Sequence, residues 1–119
     1  MTGLTTHVLD LTHGEPGAGV KIELYRLEAS SGQRIFIRTG TTNADGRLDE
    51  PLLSENEREK GTYELLFYIG DYFRKKGTVL PEPPFLEEVP VRFGLENTAS
   101  HYHVPLLVSP WGYQVYRGS

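Results

Sequence analysis

His101-Tyr102-His103-Val104-Pro105-Leu106-Leu107-Val108-Ser109-Pro110-Trp111-Gly112-Tyr113-Gln114-Val115-Tyr116-Arg117-Gly118-Ser119 is the stretch on which the reading of this chain turns. His101 to Val108 is rich in β-formers, Ser109 to Gly112 is turn chemistry, and Tyr113 to Arg117 is again β-branched or aromatic. Two strands joined by a tight turn follow from that order. Side chains alternate across a strand, so His101, His103, Pro105 and Leu107 share one face. Tyr102, Val104, Leu106 and Val108 share the other, which is apolar enough for a core. The histidine face must then meet solvent, a ligand or another subunit.

Outward from this hairpin, the chain alternates short strands with loops. Leu4 to Leu11 reads as a first strand, and Thr12 to Gly19 as a Gly- and Pro-rich loop. Val20 to Leu27 alternates strictly, with Val20, Ile22, Leu24 and Arg26 on one face, as a half-buried strand does. Arg34 to Thr39 is a third strand. Asn43-Ala44-Asp45-Gly46 favours a turn with Gly46 at positive φ, and Arg47 follows in a short edge strand. Pro51 to Lys60 is charged and looks mobile. Thr62 to Ile69 carries the strongest strand signal. Asp71 to Gly77 is the one good helix candidate, with an acid at its start, bases in its last turn and Gly77 as a stop. It is expected to plug the end of a sandwich. Pro81 to Pro84 is a rigid linker, and Phe85 to Phe93 a strand that Pro90 places at an edge or bulge. About eight short strands and one short helix argue an all-β sandwich.

Totals narrow the function. With 119 residues the chain is one domain, residues 1–119, of a size that buries roughly 65% of its unfolded surface. There is no cysteine, which removes disulfides, thiolate metal sites and thiol nucleophiles. The net charge of −4, without basic residues clustered among aromatics, argues against nucleic acid as a partner. No apolar run approaches a membrane span, and Met1 to Thr6 lacks the regions of a signal peptide, so the expectation is a cytoplasmic protein without a membrane partner.

Most motif readings end in plain structure. Gly14 to Gly19 lacks the Lys and helix of a phosphate loop, and no Gly-x-Ser-x-Gly elbow occurs. Ser109 before Pro110 is a turn residue. His101-x-His103 points two imidazoles the same way, and His7 or Asp10 could complete a zinc site, but two surface histidines is the plainer reading. What survives is a set of polar residues on strands: His7, Arg47, His103, Tyr116 and Arg117. A histidine can take a proton from water near neutral pH. An arginine can hold a planar anion through its fork of donors. These are parts for hydrolysing a small anionic heterocycle, although nothing local in the sequence brings them together.

Four segments carry a resemblance, in the same order and across essentially the whole chain. They are Thr5 to Asp10, Thr42 to Arg47, His101 to Pro110, and the terminal Tyr116-Arg117-Gly118-Ser119. They resemble the 5-hydroxyisourate hydrolases, the transthyretin-related enzymes of urate breakdown. The terminal tetrapeptide is the most specific, because it separates the enzymes from the hormone-carrying transthyretins. Trp111 and Val115 depart from the residues the family often has there. The resemblance implies a transthyretin-like sandwich of two four-stranded sheets with one short helix. It also implies a homotetramer with sites shared between subunits in a central channel, and no metal or organic cofactor. It places His7, Arg47, His103 and Tyr116 in catalysis. It places His7, Arg47, Tyr116, Arg117 and Ser119 on the substrate, and leaves His101 as a neighbour. The implied reaction opens 5-hydroxyisourate at its N1–C6 amide to give 2-oxo-4-hydroxy-4-carboxy-5-ureidoimidazoline. The alternative is a non-catalytic carrier of small aromatic ligands with the same fold. Transthyretins replace the residues that match His7, Arg47, His103 and Tyr116, and this chain keeps all four.

Overall fold

A computed structural model describes residues 3–96 and 100–118. The strands are β1 (Leu4–Asp10), β2 (Glu15–Pro16), β3 (Lys21–Leu27), β4 (Arg34–Thr41), β5 (Gly61–Phe67), β6 (Val89–Leu95), β7 (Tyr102–Ser109) and β8 (Gly112–Val115). Among the described residues, one helix, α1 (Ile69–Lys75), follows β5, and one 3-10 turn spans Glu55–Glu57. Two four-stranded sheets form, in the orders β2-β1-β7-β8 and β4-β3-β5-β6. This is the sandwich expected from the strand count. No helix among the described residues is long and apolar enough to cross a membrane.

The core is made by alternation. In β1, Leu4, Thr6, Val8 and Asp10 are buried while Thr5, His7 and Leu9 are half-buried on the opposite face. In β7, Val104, Leu106 and Val108 face the core with Tyr102. Ile22, Leu24, Leu65, Phe67, Val89 and Val91 meet them from the second sheet. Each such apolar side chain stabilises the fold by about 1.5–3 kcal/mol. The strands β1 and β7 pair in parallel, Thr5 beside His103 and His7 beside Pro105. That register sets the half-buried face of β1 next to the histidine face of β7.

Several local expectations shift. The helix begins at Ile69, not at Asp71, because Ile69, Gly70, Tyr72 and Phe73 are all buried. Gly70 lies so close to Glu87 that a Cβ there would overlap its carboxylate. Gly77, at φ 81°, ends the helix as expected. Pro51 to Lys60 is pinned. Leu52 and Leu53 are buried, Leu52 N–H donates to Leu4 O at 2.8 Å, and Leu4 N–H donates to Leu53 O at 3.1 Å. Arg38 holds Glu57 through both guanidinium nitrogens, at 3.1 and 2.7 Å. The Gly- and Pro-rich loop after β1 contains β2, which pairs with Leu9 and Asp10. The strand expected over residues 85–93 starts only at Val89.

Candidate active site

Three segments converge on the half-buried face of the first sheet. The first is β1 itself, which brings Thr5 and His7. The second is the turn Asn43 to Arg47. The Asn43 side-chain oxygen accepts the backbone N–H of Asp45 at 2.9 Å and that of Arg47 at 3.1 Å. Gly46 takes φ 76°, as its position predicts, and a Cβ there would lie 2.4 Å from Val8 O. Only glycine fits so close an approach. Val8 N–H donates to Gly46 O at 2.8 Å, and Arg47 forms a single antiparallel bridge to His7 in place of the expected edge strand. His7 Nε2 donates to the Asp45 carbonyl at 2.9 Å, since a carbonyl oxygen only accepts.

The third segment is the chain end. Leu106 pairs with Val115, and His103 bridges Gly118, whose N–H donates to His103 O at 2.7 Å. The same register sets Tyr116 opposite Pro105, on the histidine side, and Arg117 opposite Val104, on the core side. A Cβ on Gly118 would come 2.9 Å from Cδ2 of His103, so the ring packs directly on the glycine. Tyr116 is 53% exposed. The Arg117 guanidinium lies 4.1 Å from the centroid of the Tyr102 ring, a cation–π contact away from the imidazoles. The structure thus brings His7, Arg47 and His103 together. Tyr116 and Arg117 line a cleft with Phe93, Tyr102 and Val104. Ser119 lies outside the described residues.

Both site histidines are shifted toward the neutral form. The His7 ring lies below the ordinary histidine value, chiefly through burial and then through the Arg47 guanidinium. His103 is lowered by burial first, then by Arg47 and by the His101 and His7 rings. Neutral imidazoles beside a fixed cation can exchange a proton with water and hold an anion, which is acid–base chemistry at neutral pH. Asp10 is on the core side of β1 and accepts hydrogen bonds from Tyr72 and His13, so it cannot join a metal site with the histidines. Among the described residues no group of three or more His, Asp or Glu is placed to hold a metal ion.

One polar neighbour stands out that the sequence did not single out for a role. The Thr5 hydroxyl lies 3.0 Å from His101 Nε2 and 2.9 Å from His103 Nδ1, between two stacked rings. Thr5 precedes His7 by two residues, so the period of a strand already set it on the same face.

The chain is similar to known proteins over its full length. Residues 4–118 match the model of the HIUase/Transthyretin family. A curated protein of Rhizobium meliloti (strain 1021), 5-hydroxyisourate hydrolase 2, is 59% identical over 98% of this chain and 95% of its own. A crystal structure of (S)-allantoin synthase superposes with a TM-score of 0.92 at 44% identity, covering 99% of this chain. This chain spans only 44% of that one. Sea bream transthyretin in complex with thyroxine superposes with a TM-score of 0.86 at 28% identity, over 97% of this chain and 93% of its own. This chain belongs to the HIUase/Transthyretin family.

Proposed function

We propose that the protein is a 5-hydroxyisourate hydrolase, opening its substrate at the N1–C6 amide to give 2-oxo-4-hydroxy-4-carboxy-5-ureidoimidazoline. The observation that carries this reading is the pair of imidazoles, His7 and His103, set with Arg47 on one sheet face in a chain 59% identical to a curated 5-hydroxyisourate hydrolase. His7 and His103 orient and activate the attacking water. Arg47 holds the anionic substrate and stabilises the oxyanion, the step at which fixed charges are worth most. Tyr116 closes the pocket. Arg117, whose guanidinium packs on Tyr102 within the chain, joins Arg47 on the anionic substrate. The resemblance adds Ser119 on the substrate side.

The same reading makes the protein a cytoplasmic homotetramer with sites shared between subunits. Trp111 and Tyr113 of the terminal hairpin are 62% and 47% exposed, apolar surface that a partner would cover. Light scattering at micromolar concentration should give four times the mass of one chain, and the mass of one chain would remove the shared site.

Incubation with freshly generated 5-hydroxyisourate tests the activity. The expected result is product formation at catalytic protein concentration. A carrier would bind the compound stoichiometrically and leave its decay at the buffer rate.

A further inference from the structure

The Thr5 hydroxyl has one proton and two imidazole neighbours. It could accept from both rings through its two lone pairs. Among the described residues that hydroxyl has no other hydrogen-bond partner, so the arrangement that uses its proton donates to one ring and accepts from the other. The direction of that short chain sets the tautomer of both. His101 decides the direction. Its Nδ1 is buried and has no hydrogen-bond partner among the described residues. If Thr5 donated to His101 Nε2, the proton of His101 would sit on Nδ1 as a buried N–H with no acceptor. Orphaned buried N–H groups are the rarest kind of unsatisfied polar atom. If instead His101 Nε2–H donates to Thr5, only a lone pair is left unpartnered. Thr5 then donates to His103 Nδ1, and the proton of neutral His103 resides on Nε2. His7 is set by a separate contact: its Nε2–H is committed to the Asp45 carbonyl, which leaves its lone pair on Nδ1.

We propose that Thr5, backed by His101, is a positioning residue that holds His103 as its Nε2–H tautomer, so that His103 donates a hydrogen bond to the substrate while His7 acts as the base. The proposal rests on the hydrolase reading for its chemistry. Water oxygen bonds to C6, and one water proton passes to His7 Nδ1. His103 Nε2–H donates to the developing oxyanion without giving up its proton, as a neutral imidazole can. As the N1–C6 bond breaks, the proton on His7 moves to N1. The second water proton leaves with the new carboxylic acid. The two histidines thus have different work, although both are neutral and both are near Arg47.

The test begins with the unaltered protein. Long-range ¹⁵N–¹H spectra of histidine-labelled protein, taken without substrate above the histidine titrations, report which ring nitrogen carries each proton. Protons on Nε2 of His103, His101 and His7 are expected, and a proton on Nδ1 of His103 overturns the proposal. Thr5→Val removes the hydroxyl at nearly constant shape, and Thr5→Ser restores it. In Thr5→Val the His103 resonances should shift toward a tautomer mixture and kcat should fall at least about ten-fold, with KM little changed. Thr5→Ser should recover both. Unchanged His103 resonances in Thr5→Val, or a loss of kcat that Thr5→Ser does not recover, contradicts the proposal. If the unaltered protein fails to hydrolyse 5-hydroxyisourate, the hydrolase reading fails, and the spectra still decide the tautomer.

Discussion

Strand β1 carries a histidine cluster on each of its sides, and the two are built differently. On the core side, buried Asp10 accepts from Tyr72 OH and His13 Nδ1, both at 2.6 Å, and from the backbone N–H groups of Thr12 and His13 at 2.9 and 3.1 Å. Burial works to raise the Asp10 carboxyl, but the hydrogen bonds from Tyr72 and His13 outweigh it and hold it below its usual value. On the other side, burial and then Arg47, a like charge when they protonate, lower His7 and His103 and favour their neutral rings. The first cluster spends its hydrogen-bonding capacity on itself, which is what stability requires. The second leaves capacity open, which is what a substrate requires. A histidine on a strand is therefore informative only together with what already satisfies it.

Substitution should separate the two sides cleanly. His103→Ala should lower turnover of 5-hydroxyisourate by roughly 10²–10⁴-fold, the scale of acid–base and oxyanion contributions, with the melting temperature nearly unchanged. Asp10→Ala should do the reverse. It strips partners from a buried tyrosine and two backbone donors, so it should destabilise by about 3 kcal/mol in denaturant titration while the folded fraction keeps turnover within a few-fold. Large rate losses from Asp10→Ala at full folding would erase the contrast.

The sides should also part on acidification. The rate should fall with a midpoint below ~6.5, the ordinary histidine value, because both site rings are lowered. Asp10 has a folded value below its unfolded one, so its contribution to stability is complete above about 3.9 and fades as pH falls through the lower folded value. Activity should thus disappear while circular dichroism still reports a folded protein. Loss of both together would mean that unfolding, not protonation of the site, sets the acid limb.

How much of this could be read beforehand depends on range. The two faces of β7, the Gly46 turn and the stop at Gly77 are written in neighbouring residues, and all three appear where alternation or turn chemistry puts them. The start of α1 and the anchoring of Leu52 and Leu53 depend on burial against distant strands, which a local pattern does not contain. The site is intermediate. His7, Arg47 and His103 were singled out from chemistry and resemblance, but their proximity comes from the parallel pairing of β1 with β7. The Thr5–His103 contact joins residues 98 positions apart. Arg117 stands apart: its residue type and the resemblance suggest an anion ligand, and within the chain its guanidinium packs on the Tyr102 ring, a contact no local pattern contains.

Smaller effects are expected at the chain end. Gly118→Ala would force a Cβ to within 2.9 Å of the His103 ring, so the ring must move by a few tenths of an ångström. Such a displacement should reduce kcat several-fold at unchanged melting temperature. A C-terminal extension should lower activity more than the same extension at Met1, although termini usually tolerate additions. Equal effects from the two extensions would detach the chain end from the site.

The most direct measurement compares turnover of freshly generated 5-hydroxyisourate by the unaltered protein and by the double variant His7→Ala/His103→Ala, at one pH and with the folded state of both checked. Conversion far above the buffer rate is expected for the first and a loss of at least about 10³-fold for the second. An unaltered protein no faster than buffer, or a double variant at the parent rate, would contradict that expectation.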